Sequence, residues 1–152
     1  MAENPGTVIA IHVAPEHGAP TVSVERVEAV AGAGLVGDRH YDPDGEPGNQ
    51  LTLIEGEQLE DLTTRTGLTL TAAESRRQLT TWAVRLNPLV GNRFMVGEVE
   101  CVGVELCEPC SHLERLTRRG VLKGMVHRAG LNAQIVRGGE IAIGARVHAI
   151  DD

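Results

Sequence analysis

Short apolar stretches separated by turn-forming residues make up most of the chain. Residues 7–14 are a run of apolar and β-branched residues that ends at Pro15. Residues 21–30 alternate between apolar and polar positions, with one slip between Val24 and Val27. Alternation of this kind is typical of a strand with one buried face, and the slip indicates a β-bulge. We therefore predict two strands in this first part of the chain.

Further strands are predicted along the rest of the chain, each bounded by glycine, proline or asparagine. They cover residues 50–54, 93–96, 98–106, 132–136 and 140–150. The last two are expected to form a hairpin around Gly138 and Gly139. Residues 31–37 are expected to form a glycine-rich turn. Residues 41–49 hold too many turn-forming residues for regular structure.

The clearest helix is predicted for residues 55–66. Leu59 and Leu62 lie on one face, acidic residues stand near its start, and Gly67 follows its end. Shorter helical pieces are expected within residues 72–78 and 108–119. Many closely spaced strands without regular strand–helix alternation favour a barrel or a sandwich over a doubly wound parallel sheet. We predict a mainly β, barrel-like protein with one or two short helical insertions.

Length and composition agree with one globular domain over residues 1–152. Hydrophobic residues make up 41% and charged residues 23% of the chain, which excludes a disordered protein. No repeat, low-complexity tract or linker divides the sequence. The 18 glycines and only three aromatic residues indicate many turns and a core of aliphatic side chains.

Charge and cysteine content narrow the functional class. The net charge is −7, and an acidic chain with few aromatic rings speaks against a nucleic-acid partner. No apolar run approaches the ~20 residues of a membrane helix, and no secretory signal precedes the first strand. Three cysteines are an odd number, which indicates reduced thiols. We expect a cytoplasmic protein with no membrane association.

The segment CEPC, from Cys107 to Cys110, is the sharpest local motif. A C-x-x-C spacing occurs in redox pairs, in half of a zinc site and in pairs of unrelated thiols. A strand is predicted to end at Leu106 and a helix to begin near Pro109, and a helix start favours a thiolate. A βαβ frame of the thioredoxin kind is missing. For Cys110, an activated thiolate and a structural thiol are about equally favoured.

A zinc site would need two more ligands, because no second C-x-x-C is present. Cys101 in the preceding strand and His112 after Cys110 are the candidates. For Cys101 itself, a buried thiol without further function is the favoured interpretation. Zinc is therefore the weakest of the three readings of the motif.

The segment GLVGDRH (34–40) is the second candidate for chemistry. Glycines at both ends allow close backbone approach to a ligand. Asp38 can stabilise a turn, while Arg39 and His40 can bind an anion such as phosphate. The spacing is not that of a Walker loop. Considered alone, the segment is better explained as a tight turn with a solvated arginine.

Basic residues also cluster elsewhere in this acidic chain. They are Arg76 and Arg77, Arg85, the group Arg118, Arg119 and Lys123, and the segment HRAG (127–130). Basic residues kept in a few glycine-flanked loops can hold a small anionic ligand. For the group around Arg118, complementing a helix dipole is the simpler explanation.

The order of these segments resembles the MOSC domain, named from the C-terminal part of molybdenum-cofactor sulfurases. The matching segments are GLVGDRH (34–40), QLTLIEGEQLE (50–60), RLNPLVGNRFMVGEVECVGVELCEPC (85–110) and HRAGLNAQIVRGGEIAIGARV (127–147). The size is that of the small stand-alone members. The resemblance implies a closed β-barrel similar to the barrel domain of pyruvate kinase.

The resemblance also implies a site. The conserved cysteine of the family looks like Cys110, whose thiolate in relatives ligates molybdenum in a pterin cofactor or carries sulfur. A thiolate suits a soft metal centre, and arginines suit the cofactor's phosphate. The residues expected to bind the cofactor are Asp38, Arg39, His40, Arg77 and Arg128.

Two departures from the family pattern stand out. Where many relatives have R-R-N before a strand, this chain has Gln78 after Arg76 and Arg77. Where the pattern has G-D near the C-terminus, this chain has Gly144 and Ala145. The first departure is expected to alter a cofactor contact, and the second to alter a turn.

The expected function is therefore that of a molybdenum-dependent oxidoreductase or a sulfur transferase. The expected reaction is reduction of an N-oxygenated compound or transfer of sulfur. Its partners would be a small-molecule substrate and an electron-donor or cofactor-sulfurase protein. The alternatives are a non-catalytic carrier of the cofactor or of a persulfide, and a C-x-x-C zinc or redox protein on the same barrel.

Overall fold

A computed structural model describes residues 6–45 and 50–150. The part of the predicted turn over residues 46–49 lies outside the described residues. Eleven strands are present in the described ranges: β1 Gly6–Val13, β2 Val22–Val24, β3 Arg26–Val30, β4 Gly34–Leu35, β5 Leu51–Glu55, β6 Leu79–Trp82, β7 Arg93–Val96, β8 Val99–Leu106, β9 Leu131–Arg137, β10 Gly139–Ala142 and β11 Arg146–Ala149.

Seven of these strands close into a barrel. Their order around it is β11-β7-β8-β9-β5-β6-β1, and β1 pairs with β11 to complete the ring. All neighbours are antiparallel except β5 and β6, which are parallel because α1 and α2 connect them. β2 extends the sheet beyond β1, and β10, β3 and β4 form a second, smaller sheet. The predicted mainly β, closed-barrel fold is confirmed.

Two predictions about strand pairing were wrong. Residues 21–30 are not one bulged strand, because the chain leaves the barrel at Glu25, so that β2 pairs with β1 and β3 pairs with β10. The hairpin around Gly138 and Gly139 is also absent. Both edges of β9 are already occupied by β5 and β8, so β10 has no edge of β9 to pair with and joins β3 instead.

Four α-helices occur among the described residues: α1 Gly56–Thr66, α2 Ala72–Ser75, α3 Ser111–Leu116 and α4 Val121–Gly124. A 3-10 turn covers Asn87–Leu89. α1 ends at Gly67, which adopts φ 78° as a helix-terminating glycine does. The helix predicted over residues 108–119 is confined to α3, and Gly120, at φ 102°, is the N-cap of α4 rather than the residue that ends the predicted helix.

Two apolar clusters hold the architecture together. The barrel interior is aliphatic apart from Phe94 and Cys101, as the shortage of aromatic residues predicts. A second cluster packs α1, α3 and α4 against the outer wall: Ile54, Leu59, Leu62, Leu70, Leu113, Val121, Met125 and Ala129. Leu113 anchors α3 in this cluster, which fixes the segment that follows the CEPC motif. Among the described residues, no helix is long and apolar enough to cross a membrane.

Candidate functional site

The carboxylate of Asp38 organises one end of the barrel. Its side chain is fully buried and accepts hydrogen bonds from the backbone amides of Ala14 (2.9 Å) and His40 (3.1 Å). It also accepts one from Nε2 of Gln78 (2.7 Å) and forms an ion pair with Arg39 (3.2 Å). Because these donors come from three separate segments, Asp38 holds the GLVGDRH loop against β1 and the start of β6.

Residues 76–78 connect this end of the barrel to the CEPC motif. Arg76 has the left-handed φ of 63°, which sends successive side chains towards different segments. Arg76 donates from Nη1 to the carbonyl of Ala19 (2.7 Å), and its own carbonyl accepts from Arg39 (3.5 Å). The next two side chains reach the CEPC motif and Asp38, respectively. This three-residue segment is therefore the centre of the site.

Arg77 clamps the loop that carries the cysteines. Its Nε donates to the carbonyl of Ala129 (2.8 Å), and its Nη2 donates to the carbonyls of Cys107 (3.1 Å) and Glu108 (3.3 Å). Nη1 donates to the carbonyl of Ser75 (3.2 Å). Every nitrogen of this guanidinium thus holds a backbone carbonyl. In the described geometry Arg77 holds the loop in position, and the anion-binding role expected for it from the sequence stays a prediction.

Gln78 explains the first departure from the family pattern. It is 1% exposed, and its amide is held by Asp38 on one side and by the backbone N–H of Thr52 (2.8 Å) on the other. Its backbone amide donates to the hydroxyl of Thr52 (2.9 Å). Glutamine therefore serves as an internal brace between β5 and Asp38. At the second departure, Gly144 adopts φ 96° in the turn between β10 and β11.

The three cysteines are unpaired and differ in environment. Burial in the barrel raises the pKa of Cys101 to about 12. Burial also raises the pKa of Cys107, although the nearby Arg77 opposes this. Cys110 is exposed and immediately precedes α3, which begins at Ser111 rather than near Pro109. Cys110 is therefore the most accessible of the three cysteines.

We expect Cys110 to react with iodoacetamide at neutral pH at least about tenfold faster than Cys101 or Cys107, because a thiol with a raised pKa stays protonated and unreactive. Mass spectrometry of peptides from a time course measures the three rates. In denaturant, where burial is lost, the rates should converge. Alkylation of Cys107 as fast as Cys110 in the folded protein would contradict the described burial.

Glu108 and His127 form a second connection at the cysteine loop. The carboxylate of Glu108 accepts from the backbone amide of His127 (2.7 Å) and contacts its Nδ1 (2.5 Å). His127 has a left-handed φ of 61°. The amide of Cys107 donates to the carbonyl of Gly130 (2.8 Å). The HRAG segment therefore supports the CEPC motif mainly through its backbone.

Positive charge is concentrated beside Asp38. Arg39 is only 10% exposed in its side chain, and the ring of His40 contacts that of His17 edge-on at 5.4 Å between centroids. Burial and the charge of Arg39 lower the pKa of His40, and the same two causes lower the pKa of Arg76. We call Arg39, His40, Arg76 and His17 the basic cluster. Among the described residues, Asp38 is the carboxylate whose charge opposes that of Arg39 at His40 and Arg76.

Arg128 lies apart from the basic cluster. Its guanidinium pairs with Asp61 (2.9 Å) and contacts Gln58 (3.4 Å), both on α1. It lines a separate cleft of about 570 Å³ together with Glu55, Glu57, Arg85 and neighbouring residues. The sequence placed Arg128 with Asp38, Arg39 and His40. The described contacts direct its side chain to α1 instead, so an anion-binding role for it remains a prediction.

Comparison with known proteins decides the family. The sequence profile of the MOSC domain matches residues 38–148, which is most of the chain. The chain belongs to the MOSC domain family. Among curated proteins, no sequence matches it.

Solved structures share this MOSC-domain fold at low sequence identity. YuaD from Bacillus subtilis superposes with a TM-score of 0.78 at 13% identity, over 97% of this chain and 98% of that one. YiiM from Geobacillus stearothermophilus superposes with a TM-score of 0.75 at 15% identity, over 97% of this chain and 76% of that one. YiiM from Escherichia coli superposes with a TM-score of 0.67 at 17% identity, over 97% of this chain and 69% of that one. These similarities establish the fold.

The MOSC family is associated with the molybdenum cofactor, and the residues present fit both parts of that group. Cys110 offers an exposed thiol, the soft donor that molybdenum accepts. The basic cluster offers charge for a phosphate, and Nη2 of Arg76 is buried without a hydrogen-bond partner. By contrast, no three His, Cys, Asp or Glu side chains within residues 6–45 and 50–150 are placed to share a metal ion. The zinc alternative therefore has no ligand set in those ranges.

Gln78 and His17 were missed as parts of the site. Arg76 was named among the basic residues able to hold an anion, but Arg77 was the one expected to bind the cofactor. The left-handed φ of Arg76 decides which of the two adjacent arginines joins the basic cluster. Neither arginine nor its neighbours carry a sequence signal for that conformation. Nothing in the spacing of His17 along the sequence points to its ring contact with His40.

Proposed function

We propose that this MOSC-domain protein binds a molybdenum-pterin cofactor with Cys110 as the metal ligand. The observation that carries the proposal is the position of Cys110: an exposed thiol on a loop whose carbonyls are held by Arg77. The residue before Arg77 belongs to the basic cluster. A thiol and an anion-binding group are thus joined through two adjacent residues, which is what a cofactor with a soft metal and a phosphate requires.

Each residue of the site has a distinct task in this proposal. Arg39 and His40 bind the anionic part of the cofactor or substrate. Asp38 orients both by accepting from their side chain and backbone. Arg77 keeps the cysteine loop in place, and Arg128 would bind an anionic group that extends to the α1 side. When bound, the cofactor supplies two-electron redox chemistry.

The proposed reaction is reduction of an N-oxygenated small molecule, with electrons from a donor protein. Sulfur transfer with a cofactor-sulfurase partner is the second form of the same proposal. The net charge of −7 would favour a partner with a basic docking face. The unpaired thiols fit a reducing compartment, and we therefore place the protein in the cytoplasm.

A non-catalytic carrier is the alternative, and the exposure of Cys110 favours it. An exposed thiol can hand a persulfide or a cofactor directly to another protein, whereas turnover usually benefits from a site that excludes water. The two functions differ in one observable. A carrier retains bound pterin or cysteine-linked sulfur but reduces no substrate by itself.

Metal analysis tests the leading proposal. We expect the protein from a cofactor-competent host to contain molybdenum in near-stoichiometric amount, and Cys110→Ser to lose most of it. Cys107→Ser is the matched control, because it removes the other cysteine of the motif. Molybdenum bound equally by all three proteins, or by none of them, would refute Cys110 as the metal ligand. Reduction of a hydroxylamine or N-oxide with an artificial electron donor then separates enzyme from carrier.

A further inference from the structure

The outer wall of the barrel carries a cleft that has no part in the proposed function. It lies between α1 and the outer faces of β6 and β1, and its volume is about 290 Å³. One side of α1 lines it, through residues spaced three or four apart between Gly56 and Thr63. Its described lining includes neither Cys110 nor any residue expected to bind the cofactor. The cleft is therefore a separate place on the molecule.

The walls of this cleft are mainly apolar, and one of them is the only tryptophan of the chain. Trp82 remains 37% exposed, and Ile9, Leu59 and Leu70 line the cleft as well. A Cβ on Gly56 would lie 3.0 Å from Cε3 of Trp82, so the indole ring packs against the start of α1. The ring is held in place and still presents surface to the cleft. A flat surface of this kind favours an aromatic ligand.

Thr80 adds a polar group to the cleft. It is 2% exposed, and its hydroxyl is buried with no hydrogen-bond partner in the described part of the chain. Because Thr80 and Trp82 are two residues apart on β6, their side chains share the outer face of the strand, and both line the cleft. A buried hydroxyl without a partner has lost its hydrogen bonds to water. A ligand atom that bonds to it is therefore favoured.

Glu60 places a negative charge at the same cleft. Its side chain is exposed, lines the cleft and forms no ion pair within residues 6–45 and 50–150. A carboxylate there attracts a cation and repels an anion, and the net charge of −7 acts in the same direction. The face of an indole ring also attracts cations. A ligand of this cleft is therefore expected to be cationic.

We propose that the outer-wall cleft binds a small cationic aromatic molecule, an arylalkylamine with a hydroxyl group on its ring. The ring lies against Trp82, the hydroxyl bonds to Thr80, and the ammonium group pairs with Glu60. A volume near the lower limit of about 300 Å³ for small-molecule sites suits a ligand with one ring. The proposal goes beyond the proposed function and depends on neither molybdenum nor Cys110.

Titration of the ¹⁵N-labelled protein with tyramine, followed by NMR, tests the proposal. Trp82 is the only tryptophan, so its indole N–H gives a single resonance that reports on the cleft. We expect this resonance to shift with saturable binding, at a Kd of about 1 mM for a ligand of about ten non-hydrogen atoms. Phenethylamine lacks the hydroxyl, and 3-(4-hydroxyphenyl)propionate carries the opposite charge. Each should bind at least about threefold more weakly than tyramine.

Two variants assign these preferences to their side chains. Thr80→Val keeps the shape of the side chain and removes the hydroxyl, so tyramine and phenethylamine should bind to it equally well. Glu60→Gln should abolish the preference for tyramine over the propionate. Glu28→Gln changes an exposed carboxylate of β3, in the second sheet, and should leave all three affinities unchanged.

Three results would overturn the proposal. The first is a Trp82 resonance that does not respond to millimolar tyramine. The second is equal binding of tyramine and phenethylamine by the wild type, which would mean an apolar surface of the kind that a partner protein covers. The third is an unchanged set of preferences in the Thr80 and Glu60 variants. If Thr80→Val fails to fold, the two amines on the wild type still decide. Because no probe contains a metal, failure here leaves the role of Cys110 to its own test.

Discussion

Replacing Gly130 with alanine is expected to lower the free energy of unfolding by about 4 kcal/mol or more, a loss that a marginally stable domain tolerates poorly. A Cβ at this position would lie 2.0 Å from the carbonyl oxygen of Leu53 in β5. Its φ of 113° adds the strain of a left-handed alanine. Because its carbonyl accepts from Cys107, the damage should reach the cysteine loop as well.

Gly144→Ala is the matched control for this substitution. Gly144 has a similar φ of 96°, but a Cβ there would meet no atom within 4 Å. We expect it to cost only the conformational part, about 1–2 kcal/mol. Urea unfolding of the two variants measures both values. Equal losses would show that the close approach of β5 to Gly130 does not determine stability.

Replacing Asp38 with asparagine is expected to cost about 3 kcal/mol, the second largest effect. The buried carboxylate accepts from the amide groups of His40 and Gln78 through one oxygen, Oδ2. An asparagine side chain can present its carbonyl to only one side, so either these donors or Ala14 and Arg39 would face an NH₂ group. It would also remove the charge that opposes the basic cluster at His40 and Arg76.

Asp42→Asn serves as the control for Asp38. Asp42 accepts from the backbone amide of Asp44 (2.9 Å) in an exposed turn, a role that asparagine fills equally well. We expect a change within about 0.5 kcal/mol for this exposed position. Thermal unfolding of both variants at neutral pH gives the comparison. An Asp38 variant as stable as the Asp42 variant would contradict the organising role of the buried carboxylate.

Most of the barrel could be predicted from the sequence because its signals are local. The apolar and β-branched run over residues 7–14 and the terminating Gly67 specify β1 and the end of α1 from their own residues. Pairing depends on which edges are free after the barrel closes. The destination of β10 therefore could not be read from the glycines at positions 138 and 139, although these glycines do separate it from β9.

The site was predictable only in part, for a similar reason. Cys110 could be selected because the motif and the family resemblance both point to it. The division of work between Arg76 and Arg77 depends on one left-handed residue, and the engagement of Arg128 with Asp61 depends on where α1 lies. Both features depend on the tertiary structure. The clustering of basic residues along the chain predicts an anion-binding site. It does not predict which of these side chains form the site.

In the proposed function, Cys110 is the attachment point for what this MOSC-domain protein carries. Mass measurement of the intact protein, isolated from a cofactor-competent host without reducing agent, tests it most directly. We expect wild type and Cys107→Ser to carry a bound molybdenum-pterin or a sulfur adduct, and Cys110→Ser to carry neither. Identical ligands on all three proteins would contradict it.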